Sequence, residues 1–287
     1  MINVFYMPEQ TANVKVFSPS PRKPALVVDA WLKQFPDRLK INSFGPVTEA
    51  QISAVHDAKY VHGVLNGTRS NGFGTKDMVV ANSLPYTSGS MLAAAKHALE
   101  YGVAVSPTSG FHHSEHGGTY KGKPSGSGAQ GFCTFNGLCV TAVALLNEGL
   151  VTKVGIADCD MHYGNGTSNI ISVLGLKEKI KHFTAGANYH NESQASTFLK
   201  RLPLIIKAMG DCDILLYQAG ADPWINDPLG GWLSKDQLRE RDCIVFETCK
   251  EMEVSVVFNL AGGYSSNFQD VLDIHIATME EAIRVFD

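Results

Sequence analysis

Six short runs along the chain are apolar almost without interruption: INVFYM from Ile2, GVAVS from Gly102, KVGIAD from Lys153, IKHFTA from Ile180, DILLYQ from Asp213 and VSVVFNL from Val254. Runs of that length without polar alternation suit strands buried on both faces. Between most of them lie longer segments with apolar residues at helical spacing: SGSMLAAAKHALEYG, FNGLCVTAVALLNEG, TSNIISVLGLKEK, ASTFLKRLPLIIKAMG and SKDQLRERDCIVFETCKEME. A last helical segment, FQDVLDIHIATMEEAIRVF, follows the sixth run. Strands alternating with helices predict an α/β fold, a three-layer α/β/α arrangement around a mainly parallel central sheet. No internal repeat and no linker divides the chain, so residues 1–287 are expected to form a single domain.

Composition narrows the function classes. A hydrophobic fraction of 44%, a charged fraction of 18% and a formal net charge of -4 provide no basic field for nucleic acid. No segment approaches the roughly 18 apolar residues that read as a membrane span, and MINVFYMPEQ lacks the pattern of a secretory signal. A cytoplasmic protein without membrane or nucleic-acid partners is the expectation. The six cysteines form no C-x-x-C pair and sit in apolar context, which favours buried thiols over disulfides or zinc ligands. Any bound metal should therefore be held by histidines and carboxylates. The stretch GGTYKGKPSGSG, residues 117 to 128, is too rich in glycine for the core and reads as a surface loop.

Open parallel sheets bind ligands beyond the carboxyl ends of their strands. Here GVAVS leads to His112 and His113, KVGIAD to Asp158, Asp160 and His162, DILLYQ to Asp222, and VSVVFNL to Tyr264. A strand has a side-chain period of two, so D-x-D-x-H is expected to turn Asp158, Asp160 and His162 to one side. The stretch FHHSEH also matches H-x-x-E-H, the inverted zinc-protease signature, through His112, Glu115 and His116. That motif needs a helix, and glycine, proline and serine crowd both flanks.

The ordered motifs GFHH, GFCTFNG, DCDMHYGNGT, AGAD and AGGY are similar to those of the zinc-dependent histone deacetylase family and its bacterial deacetylase relatives. The resemblance begins at about VTEAQISAVHDAKYVHGVL and covers most of the chain. It implies an arginase/deacetylase-like fold and one Zn²⁺ held by Asp160, His162 and Asp222. Three protein ligands with an open position are what catalytic zinc requires. The resemblance further implies that His113 is general base and acid, with His112 beside it, Asp158 behind His112 and Asn165 behind His113. An asparagine partner is expected to leave His113 near its ordinary range. Tyr264 would donate to the oxyanion, and Gly131 and Phe132 would line the acyl-lysine tunnel. A K⁺ near Asp158 is implied as well, although Gly186 stands where a helping serine hydroxyl is expected.

The reaction implied is hydrolysis of the amide of an acyl-lysine or a small acetylated amine. Ser83, within ANSLPYTSG, takes the place of the acidic residue that grips a peptide backbone at the tunnel mouth, which favours small substrates. Two rivals remain: a non-catalytic module that binds acylated ligands, and a binuclear manganese ureohydrolase. The second needs an additional bridging set of aspartates, and the chain has D-x-D-x-H instead of D-x-H-x-D.

Overall fold

The computed structural model describes residues 1–120, 123–124 and 131–287. Its strands are β1 (Ile2–Phe5), β2 (Leu39–Asn42), β3 (Val103–Ser106), β4 (Thr119–Tyr120), β5 (Lys123–Pro124), β6 (Val154–Asp158), β7 (Ile180–Thr184), β8 (Ile214–Gln218) and β9 (Ser255–Asn259). The helices are α1 (Lys23–Gln34), α2 (Glu49–Ser53), α3 (Ala58–Leu65), α4 (Met78–Tyr101), α5 (Gly137–Asn147), α6 (Asn165–Val173), α7 (Ala195–Lys207), α8 (Lys235–Glu251) and α9 (Phe268–Phe286).

Seven strands form one sheet in the order β2-β1-β3-β9-β8-β6-β7, and every pairing is parallel. Alternate residues feed two separate cores. On β8, Leu215 and Tyr217 face the layer of α1, α7, α8 and α9, while Ile214 and Leu216 face the layer of α4, α5 and α6. All five β8 residues are buried, which explains why its sequence shows no polar alternation. The expected three-layer α/β/α architecture is the one observed.

Several elements escaped the sequence pattern, among them α1, β2 and the first turns of α4. Strand β2 lies at the sheet edge with Lys40 and Ile41 exposed, so it lacks the apolar run of the central strands. Helix α4 starts ten residues before SGSMLAAAKHALEYG and carries Pro85 inside it. The Pro85 carbonyl accepts a hydrogen bond from the Val47 amide, so tertiary packing supports the helix where proline signals a break. Ser83 lies in that early part of α4, buried, with its hydroxyl donating to the Val80 carbonyl. It lines a cavity together with Phe73 and Phe132. An exposed acid, Asp77, caps α4 just after Phe73, whose ring stacks on Phe132.

Of the stretch expected as a surface loop, Thr119–Tyr120 and Lys123–Pro124 pair as a two-stranded antiparallel ladder, and residues 121–122 and 125–130 lie outside the described residues. All six cysteines are free, and all but the half-buried Cys243 are buried. Among the described residues no helix is long and apolar enough to cross a membrane.

Candidate active site

The four strands whose ends carry the candidate residues are the contiguous centre of the sheet, in the order β3-β9-β8-β6. Their carboxyl ends converge on one polar cluster. Asp160, His162 and Asp222 place one ligand atom each within 4.8 Å of one another. The His162 Nδ1 is 3.0 Å from Asp222 Oδ2 and 3.3 Å from Asp160 Oδ1.

Strand β6 ends at Asp158, so the period of two does not itself place Asp160 and His162. The chain bends instead, and the bend is pinned from several sides. Asp158 Oδ1 accepts from the Asp160 amide at 3.2 Å, and Asp160 Oδ1 accepts from the His162 amide at 3.0 Å. The Gly262 amide donates to Asp160 Oδ2 at 2.9 Å. Two glycines make this closeness possible: a Cβ on Gly262 would lie 2.3 Å from Asp222 Cγ, and one on Gly186 would lie 2.2 Å from the His162 carbonyl carbon. The glycine at 186 is thus a packing requirement under the ligand loop.

Asp158 faces away from the triad and serves His112. Its Oδ2 lies 2.7 Å from His112 Nδ1, and its Oδ1 also accepts from Gln218 Nε2 at 3.0 Å. His112 Nε2 is 3.6 Å from Asp160 Oδ1. Burial would lower the His112 pKa, but the Asp158 and Asp160 carboxylates outweigh it and raise the imidazole to about 9. The neighbouring His113 has its ring centroid 4.1 Å from that of His112 and bonds Asn165 Oδ1 through Nδ1 at 2.7 Å. Burial and then the adjacent His112 charge push His113 well below 6.5. The expectation of an ordinary His113 is corrected, because an amide partner supplies no charge to offset desolvation.

Burial and the neighbouring Asp160 raise Asp222 to about 7 in the metal-free chain. Hydrogen bonds to Asp160 and Asp222 outweigh burial at His162 and raise it to about 11. Two buried carboxylates with only a shared imidazole between them make a donor set that suits a divalent cation, which would take the place of the His162 proton. Among the described residues this is the one group of at least three such side chains able to hold an ion. Asp158 is committed to His112, so no bridging aspartate set for a second ion is present in that loop.

Gly131 and Phe132 both adopt positive φ, 54° and 63°. The first has a steric reason, since a Cβ there would lie 2.1 Å from His113 Cδ2. The second is a non-glycine residue in the left-handed region, a conformation that clusters at functional sites. Its ring packs against Tyr264 at 5.7 Å, Phe17 at 5.8 Å and Phe73 at 6.3 Å between centroids. Phe17 itself is 74% exposed, so an aromatic face extends from the site to the surface. Tyr264 is fixed by its amide, which donates to Asp227 Oδ2 at 2.7 Å, and burial raises its phenol well above 10.

The FHHSEH stretch forms turns, not a helix. His112 Nδ1 goes to Asp158, and His116 Nδ1 goes to the Val55 carbonyl at 2.7 Å. The two imidazoles of H-x-x-E-H thus bind different partners, and the metalloprotease reading has no geometry behind it.

A sequence profile of the histone deacetylase domain matches residues 19–177, more than half of the chain. The chain belongs to the histone deacetylase family. It is 27% identical over 253 residues to an uncharacterized protein of Picosynechococcus sp., covering 79% of each chain. It is 28% identical over 207 residues to Histone deacetylase 2 of Arabidopsis thaliana, covering 64% of this chain and 50% of that one. Two solved structures share the fold. The HDA15 HD domain matches with a TM-score of 0.75 at 18% identity, over 99% of this chain and 90% of that one. An acetylpolyamine aminohydrolase from Burkholderia pseudomallei matches with a TM-score of 0.72 at 14% identity, over 98% of both. The Asp160, His162 and Asp222 group of this deacetylase-family chain is of the kind typical of the family's zinc site.

Several supporting residues carry no motif. Lys23, fully buried at the start of α1, donates through Nζ to the carbonyls of Ala261 and Gly262, the latter at 2.8 Å. Burial outweighs the nearby Asp222 and Asp160 and lowers it to about 8. Arg241 on α8 donates through Nη1 to the Gly220 carbonyl at 2.6 Å and the Cys159 carbonyl at 3.2 Å. It thereby ties together the two backbones that carry Asp160 and Asp222. Neither basic residue announces itself in the sequence, because each acts on backbone carbonyls brought close only by the sheet.

Proposed function

We propose that the chain is a zinc-dependent deacetylase that hydrolyses the amide of an N-acetylated amine, such as acetyl-lysine or a small acetylated amine. The observation that carries this reading is the convergence of Asp160, His162 and Asp222 beside the paired imidazoles. When bound, Zn²⁺ would supply a Lewis acid and an acidified water. Asp160, His162 and Asp222 are the residues that would hold it.

His113 is the proton acceptor in this reading. Its Nδ1 is bound to the Asn165 oxygen, which places the ring proton there and leaves the Nε2 lone pair to take a proton from water and return it to the leaving amine. His112, paired with Asp158, stays protonated and contributes positive charge beside the reacting centre. Tyr264 keeps its phenolic proton, as a hydrogen-bond donor to an oxyanion must. Gly131 and Phe132 wall the acyl chain, and the Phe17 and Phe73 rings extend that apolar wall outward. A monovalent cation near Asp158 would draw on its carboxylate, whose Oδ2 accepts from His112 with a lone pair to spare, together with backbone carbonyls.

The fold shared with the B. pseudomallei acetylpolyamine aminohydrolase and the sequence shared with Histone deacetylase 2 support both substrate classes. The test is turnover of acetyl-lysine peptides, acetylated polyamines and simple acetamides by the zinc-loaded chain. Hydrolysis of at least one class, lost in His113→Ala, supports the reading. A chain that binds zinc and acylated ligands without turnover would instead be a non-catalytic binding module.

A further inference from the structure

Resting on that reading, we propose that Glu115 is a positioning residue that sets the tautomer of His113 by fixing which way the Asn165 amide points. Asn165 is the first residue of α6 and sits between the two. Its Oδ1 is 2.7 Å from His113 Nδ1, and its Nδ2 donates to Glu115 Oε1 at 3.0 Å. An amide presents an acceptor and a donor of nearly equal size, so on its own it can be turned either way. A carboxylate only accepts. With Glu115 on one side, the amide must turn Nδ2 toward it, and Oδ1 is then the only atom left to face His113. An oxygen facing Nδ1 holds the ring proton there and makes Nε2 the basic nitrogen.

Glu115 is itself held in place. It is buried, its Oε2 accepts from the Thr119 hydroxyl, and its amide donates to the Thr119 carbonyl at 3.2 Å. Its carbonyl lies 2.9 Å from His56 Nδ1. The same polarity arithmetic settles that contact, because His56 Nε2 accepts from the Asn136 amide at 2.9 Å and the ring proton must lie on Nδ1. Along these contacts from Asn136 to His113 the donor and acceptor assignments satisfy one another. Glu115 is the acceptor on which the last link depends.

The experiment uses a swap of charge and amide. Asn165→Asp alone sets two carboxylates at a contact that is 3.0 Å in the native chain, and like-charge repulsion there should cut kcat by about 100-fold. Adding Glu115→Gln restores one carboxylate and one amide in reversed order, with an acceptor still facing His113, so N165D/E115Q should regain at least about tenfold over Asn165→Asp, with its activity displaced to higher pH because a carboxylate now favours the protonated His113. Glu115→Ala, which frees the Asn165 amide to turn, should lower kcat by about tenfold with KM and bound zinc unchanged. A second readout needs no substrate: long-range ¹H–¹⁵N spectra of the metal-free chain should show the Nδ1–H tautomer of His113 in the wild type and mixed tautomers in E115A. A double variant no better than Asn165→Asp, or an unchanged His113 tautomer in E115A, would overturn the proposal. A tautomer that responds in a chain turning over no acetylated amine would uphold the positioning role and defeat the deacetylase reading instead.

Discussion

His112 and His113 are adjacent in sequence and both buried, yet their surroundings push them in opposite directions. The first faces a carboxylate, Asp158, fixed by Gln218; the second faces an amide, Asn165, fixed by Glu115. Burial penalises a charge equally at both positions, so the partner decides the outcome. A negative partner keeps His112 protonated to about 9, while a neutral partner and the charge on His112 leave His113 as a free base. The contrast teaches that the difference between the two imidazoles lies in the residues behind them, several of which are far away in the chain.

The largest effect should come from removing the group both imidazoles surround. Asp160→Ala, His162→Ala and Asp222→Ala should each lose bound zinc and activity together, because each supplies one of three ligand atoms. Elemental analysis of the wild type should find one divalent ion per chain. Two equivalents, or full occupancy in Asp222→Ala, would mean a different site.

Next in size is the loss of the neutral imidazole. His113→Ala should retain zinc and lose on the order of 10²-fold or more in kcat. This separates the base from the metal, since both readouts are taken on one protein. Loss of zinc in that variant would show that the second imidazole binds metal and would erase the division of roles.

A smaller effect tests the charged member. In the metal-free chain, folded His112 keeps its proton up to about 9, whereas its unperturbed value is 6.5. The stabilisation from that proton is complete below about 6.5 and is lost as the pH rises through about 9. Asp158→Asn removes the main source of the upward shift. The stability gap between wild type and Asp158→Asn, measured by urea unfolding without metal, should therefore narrow between pH 6.5 and 9. A gap that stays constant or widens would show that Asp158 does not act through the His112 charge.

The sequence displayed one half of this arrangement more openly than the other. The central strands and most of the helices follow from apolar runs and spacing, because burial on two faces demands them. The fold class sends strand ends to ligands, which put Asp160, His162 and Asp222 among the candidates, and the resemblance to histone deacetylases singled them out as the ligand set. The supports are a different matter. Gln218 and Lys23 act across 60 and 239 residues of chain and Arg241 across 21 and 82, and no local pattern records such distances. The first turns of α4, which hold Ser83 and Pro85, show no pattern for a similar reason, since the Pro85 carbonyl is engaged by the distant Val47 amide.

The smallest effect belongs to the residue that made FHHSEH look like a protease motif. His116 is half-buried, with Nδ1 bonded to the Val55 carbonyl and its amide donating to Asn169 Oδ1. These contacts fasten the turn after His112 and His113 to the region between α2 and α3 and to α6. None of them reaches the triad. His116→Ala removes one side-chain hydrogen bond, worth about 0.5–1.5 kcal/mol, and leaves the amide contact in place. Zinc content and kcat should stay near the wild-type values while the urea midpoint falls slightly. Loss of zinc in His116→Ala would reopen the H-x-x-E-H reading and remove the basis for treating His112 and His113 as the only imidazoles in this stretch that serve the reaction.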